Sequence, residues 1–133
     1  MTRRRNLPAF VLLLLALVCL AGCGSTRLQS IAVTPGTATA SSVQFTAKGT
    51  FSDGRTTSPL LSFWSPYDPR QAPPPGIPFT VTIDSTGLTT CANGYHGPAT
   101  VYASAPANPS IPISQIGMTT LTLVVGTAQL TCP

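Results

Sequence analysis

Past residue 22, hydrophobic and polar side chains alternate with a period of two. The clearest stretch is 43–51, where Val43, Phe45, Ala47, Gly49 and Phe51 take turns with Gln44, Thr46, Lys48 and Thr50. Successive side chains of an extended chain point to opposite faces, so this pattern predicts a strand with one face inside and one in water. Ser52-Asp53-Gly54 then reads as a turn. Shorter β-branched or aromatic runs at 28–33, 60–65, 79–83, 87–90, 99–103 and 118–125 predict further strands, with 129–132 prolonging the last. Thr34-Pro35-Gly36 closes the first run, Asp84-Ser85-Thr86-Gly87 joins two others, and Gly97-Pro98 precedes a third. Pro66, Pro69, Pro73, Pro74, Pro75 and Pro78 rule out a central strand over 66–78 and predict a long extended loop. A second proline-bearing loop covers 105–112. No segment of helical length after residue 22 repeats its apolar residues at i, i+3 and i+4. About seven short strands in about 100 residues predict an all-β antiparallel sandwich.

The first 22 residues follow another rule. Arg3, Arg4 and Arg5 precede an unbroken apolar run at 9–20, which ends in Leu20-Ala21-Gly22-Cys23. Twelve apolar residues fall short of the roughly 20 that a spanning helix needs and match the h-region of a signal peptide. The order basic, apolar, small, cysteine resembles a bacterial lipoprotein signal peptide with its lipobox. That resemblance implies cleavage before Cys23, a diacylglycerol on its thiol, and a membrane as partner through the lipid anchor. It divides the chain into a signal peptide (1–22), a lipidated N-terminus and tether (23–30) and a domain (31–133). Gly24, standing where aspartate would favour inner-membrane retention, implies the outer membrane of the cell envelope, at its periplasmic face or the cell surface.

Removing the signal changes the charge. The full chain carries a formal +4, but three of its seven basic residues lie in the signal. Arg27, Lys48, Arg55 and Arg70 then face Asp53, Asp68 and Asp84, one positive charge in excess. No basic patch remains that could neutralise a row of phosphates, so no nucleic-acid partner is expected. Of the four cysteines, Cys19 leaves with the signal and Cys23 takes the lipid. Cys91 and Cys132 remain as an even pair in an exported domain, where a disulfide is the default and a metal site or a reactive thiol the rivals. Two cysteines with His96 do not complete a tetrahedral zinc shell.

Several runs carry a family pattern in order. They are Leu28-Gln29-Ser30-Ile31-Ala32-Val33-Thr34-Pro35, Gln44-Phe45-Thr46-Ala47-Lys48-Gly49-Thr50-Phe51-Ser52-Asp53-Gly54, Phe63-Trp64-Ser65 and Ile83-Asp84-Ser85-Thr86-Gly87-Leu88. Over 28–103 the chain resembles the bacterial immunoglobulin-like domain, group 2, of invasin- and intimin-type surface proteins. The resemblance implies an immunoglobulin-like sandwich with Trp64 at its centre and Phe45, Ala47 and Phe51 lining the core. Three features depart from the family: the proline-rich segment after Trp64, Pro98 in place of a polar residue, and a cysteine pair that lies wholly after Trp64. The pair is therefore expected to tie the segment after the Leu88 strand to the C-terminus. A single copy of a module known in tandem arrays points to another envelope protein as partner.

Candidate chemistry is sparse. His96 is the sole histidine, there is no glutamate, and neither a Gly-x-Ser-x-Gly elbow nor a phosphate loop occurs. Asp53 and Asp84 sit in turn sequences, where aspartate caps local backbone, and isolated carboxylates do not build a calcium shell. No catalytic residue, metal site or cofactor is expected. The expected function is that of a non-catalytic, lipid-anchored structural or adhesive module. The alternative is a lipoprotein that holds a glycan or peptide with its proline-rich loops. For that second reading Tyr67 and Tyr95 are the candidate contacts, set against the simpler expectation that both rings pack over their own loops.

Overall fold

A computed structural model describes residues 24–39, 41–73, 75–117 and 121–133. The signal segment and Cys23 lie outside the described residues, as does Met118, where the last strand was expected to begin. Eight strands form: β1 (Leu28–Ala38), β2 (Ser42–Phe51), β3 (Thr56–Thr57), β4 (Phe63–Ser65), β5 (Val81–Ile83), β6 (Leu88–Cys91), β7 (Gly97–Pro106) and β8 (Leu123–Cys132). One 3-10 turn, Ile113–Gln115, interrupts the connection between β7 and β8.

The strands make two antiparallel sheets. In the first the order is β1-β2-β6-β5, with the two-residue β3 also on β2, and in the second it is β4-β7-β8. The chain is thus an all-β sandwich, and its strand order is that of the constant-type immunoglobulin arrangement. The alternation in β2 is realised: Phe45, Ala47, Gly49 and Phe51 are buried, Lys48 is exposed, and Thr46 and Thr50 are half-buried. Register places Phe51 opposite Leu28, Gly49 opposite Ile31, and Ala47 opposite Val33. The inward faces of both strands therefore line one surface.

Several strand limits differ from the sequence pattern: β5 covers 81–83 of the expected 79–83, β8 starts at Leu123, β3 is additional, and three further differences have a clear physical reason. β1 does not stop at Thr34-Pro35-Gly36 but runs on to Ala38, with a register shift between Pro35 and Ala38. It is an edge strand, where a proline without an N–H is tolerated. It begins at Leu28, where the run 28–33 predicted, so residues 28–30 belong to the sandwich. Only 63–65 of the expected 60–65 strand pairs, with Ser104, Ala103 and Tyr102. β7 outgrows its expected 99–103 because it pairs with β8 along its whole length, from Gly97 opposite Cys132 to Pro106 opposite Leu123.

The core has two halves. Leu28, Ile31, Ala47, Phe51, Ala103 and Ala105 form one, and Phe45, Val81, Ala99, Val101 and Cys132 the other. Val33 and Trp64 pack against both. The alanines of β7 leave room for the aromatic rings of the facing sheet, a large-against-small match that keeps packing dense. At one lateral edge β1 and β8 approach so closely that a Cβ on Gly126 would sit 2.4 Å from the Ile31 carbonyl oxygen. Glycine is required there by space.

Candidate functional site

The residues singled out from the sequence divide between the two ends of the sandwich. The distal end carries the β1–β2, β4–β5 and β6–β7 connections together with the end of β8. There Cys91 N–H donates to the Ser41 carbonyl (3.0 Å) and Ala92 N–H to that of Thr80 (2.9 Å). Cys91 and Cys132 form a disulfide with Cα atoms 5.9 Å apart, joining the last residue of β6 to the last of β8. It therefore ties one sheet to the other.

Both candidate tyrosines lie at this end, each held by its own surroundings. The Tyr67 ring stacks on Phe79, with centroids 5.5 Å apart and planes inclined by 17°. The Tyr95 hydroxyl donates to the Pro98 carbonyl (2.6 Å), and its ring packs against the core. His96 Nδ1 donates to the main-chain oxygen of Pro133. The proline-rich segment 66–78 forms no strand among its described residues.

The three aspartates shape turns. Asp53 Oδ1 accepts from Arg55 N–H (3.0 Å). Asp68 takes Arg70 in a short turn, with Nη2 2.6 Å from Oδ2 and the main-chain N–H of Arg70 donating as well. These hydrogen bonds and the adjacent guanidinium hold the Asp68 carboxyl below the usual carboxylate range. Asp84 Oδ1 accepts from the Thr86 hydroxyl (2.7 Å), Thr86 N–H (2.8 Å) and Leu88 N–H (3.0 Å). Those donors stabilise its ionised form, so its pKa is lowered too. Among the described residues no group of three or more His, Cys, Asp or Glu side chains could hold a metal ion.

The opposite end is where the chain enters. Ser52 N–H donates to the Arg27 carbonyl (2.8 Å) and Leu28 N–H to that of Ala107 (2.8 Å). Two hollows open on this side. The larger, about 410 Å³, lies where β6 has left β2, between Pro59, Leu60 and Ser62 on one wall and the Ser85-Thr86 turn on the other. Phe45 and Trp64 also line it. Gly87 closes this turn at φ +87°, and a Cβ there would meet the Phe45 carbonyl oxygen at 2.7 Å and the Trp64 ring at 2.9 Å. Trp64 is therefore half-buried between core and hollow, whereas Phe45 and Phe51 are fully inside. The smaller hollow, about 200 Å³, is apolar and lined by Leu28, Phe51, Pro106, Ile111 and Ile113 among others. Leu61, 74 % exposed, borders both.

Neither hollow touches Tyr67 or Tyr95. Neither is anticipated by the strand pattern. The one local sign of them is Leu61, a large apolar side chain left exposed beside the buried Ser62. Compared with known proteins, the chain matches no family model, no curated protein and no solved structure.

Proposed function

We propose that the chain is a non-catalytic, lipid-anchored protein of the bacterial cell envelope whose β-sandwich serves as a structural or adhesive module. The observation that carries this reading is the order Leu20-Ala21-Gly22-Cys23 after a basic start and a twelve-residue apolar run. A diacylglycerol on the Cys23 thiol, together with a further acyl chain, would hold the protein at a membrane stably, which one chain alone does not. The strand order and the resemblance to the bacterial immunoglobulin-like group 2 domain support the modular half of the reading. The local use of Asp53, Asp68 and Asp84 as turn formers supports the non-catalytic half.

The test is metabolic labelling with a clickable fatty acid in a host carrying a C-terminally tagged copy, with Cys23→Ser as control. Label on the wild-type chain and its loss in Cys23→Ser is the expected result. An unlabelled wild-type chain of mature mass would refute the anchor. Protease shaving of the same cells then separates roles. Loss of the tag from intact cells indicates a surface module, and protection until the outer membrane is opened indicates a periplasmic one.

A further inference from the structure

We infer that the entry end of the sandwich is itself a membrane contact: Leu61 and the Ile111–Ile113 loop rest on the headgroup region of the bilayer that holds the anchor. The inference builds on the lipid-anchored reading above.

Two uncharged, apolar connections meet at this end. Between β3 and β4, over 58–62, there is no charged residue, and from Ala107 to Thr122 there is none either. Leu61 of the first is 74 % exposed, the most exposed large apolar side chain of the described residues, and Phe63 beside it is 39 % exposed. Across the smaller hollow Leu61 faces Pro109, Ile111, Pro112 and Ile113 of the second. A contiguous apolar surface of this kind marks a contact. The distal connections also expose Ile77 and Phe79, but they carry Asp68, Arg70 and His96 among them.

The chain itself says what covers the surface. Cys23 precedes Leu28 by five residues, and Leu28 lines the smaller hollow. Five residues span at most about 18 Å when fully extended. A headgroup layer takes up about 6 Å of that, judged from bilayer thickness with and without headgroups. The entry end is thus held within about 12 Å of the surface, too near for a folded partner domain to sit between, and at an effective concentration that makes a weak contact count. Arg27 and Arg55 stand at the rim of this end against Asp53, a balance suited to an anionic surface.

The mature, lipidated protein in phosphatidylethanolamine/phosphatidylglycerol vesicles provides the test, with an environment-sensitive fluorophore on Leu61→Cys or, at the distal end, on Ile77→Cys. Aqueous dithionite should reduce the label at 61 roughly tenfold more slowly than the label at 77, a ratio worth about 1.4 kcal/mol. Leu61→Asp combined with a label on Ile113→Cys should abolish the protection while the protein still floats with the vesicles. Equal reduction at 61 and 77 on floating protein overturns the contact and leaves the anchor standing. A label at 61 that is bare on vesicles but protected in cells would also overturn it, in favour of a protein partner. A chain that does not float overturns the anchored reading itself, and this inference with it.

Discussion

The two ends of this sandwich share one core and are finished in opposite ways. At the distal end a disulfide, a stacked Tyr67–Phe79 pair, the Asp68–Arg70 turn and main-chain bonds knit three connections and the end of β8 together. At the entry end the β3–β4 and β7–β8 connections are uncharged, the only charges being Arg27 and the Asp53–Arg55 turn at its rim; among the described residues no covalent link closes it, and two hollows open beside the core. The contrast teaches where each end draws its stability. Covalent and polar closure makes the distal end self-sufficient. The entry end relies on apolar burial that is incomplete within the chain.

The largest effect that would break this contrast is removal of the staple. Closing a 41-residue separation stabilises the fold by about 4 kcal/mol on the chain-entropy account. Cys91→Ala with Cys132→Ala is expected to lower stability by that order, read as a fall in the urea midpoint insensitive to reductant. A double variant with the wild-type midpoint would show that the distal end is held by its other contacts. At the entry end the comparable change is Leu28→Ala. Leu28 is buried at 4 % exposure, yet it borders the smaller hollow. Its truncation should cost about 2 kcal/mol, the low end for Leu→Ala, because an existing hollow merely enlarges. A loss nearer 5 kcal/mol would mean that this end is packed as tightly as the other.

The sequence makes these two ends unequally legible. Period two is a strong signal, so the face of β2 with Phe45, Ala47, Gly49 and Phe51 could be read directly from 43–51. The disulfide was legible from cysteine arithmetic, because only one pair remains after the signal and the lipidation site are set aside. Strand length was not, because pairing partners decide it: β7 runs through Pro98 and Pro106 since β8 accompanies it throughout. Placement of loops was hidden as well. Leu61 and Ile113 are 52 residues apart, and nothing local says that they meet.

A smaller change sharpens the picture within the core. Thr89 is fully buried between Val43 and Ile83, and its hydroxyl has no hydrogen-bond partner among the described residues. Replacing an unpaired buried hydroxyl with a methyl removes a desolvation cost. Thr89→Val should therefore gain about 1 kcal/mol, seen as a higher melting temperature. A loss instead would mean that a bound water pairs the hydroxyl.

The smallest effect concerns the polar closure of the distal end and is best seen through pH. Asp68 is held below its ordinary pKa by Arg70, and Asp84 by the donors of its own turn. A carboxyl with a depressed folded-state pKa binds its proton more readily when unfolded, so unfolding takes up protons and stability rises with pH. The contribution is complete above the unfolded value of about 3.9 and is lost as pH falls through the lower folded value. Arg70→Gln removes the guanidinium and should flatten the share of this acid dependence that belongs to Asp68, leaving that of Asp84 in place. At pH 7 the same substitution should leave the urea midpoint almost unchanged, since the Arg70 side chain is 58 % exposed and solvent screens the pair. Urea midpoints between about pH 2 and pH 6 for wild type, Arg70→Gln and Asp84→Asn would separate the two shares. If Arg70→Gln leaves the acid slope intact, Asp68 draws its depression from the Arg70 main-chain N–H alone. The distal end would then be closed by backbone geometry and the disulfide, with the ion pair a bystander.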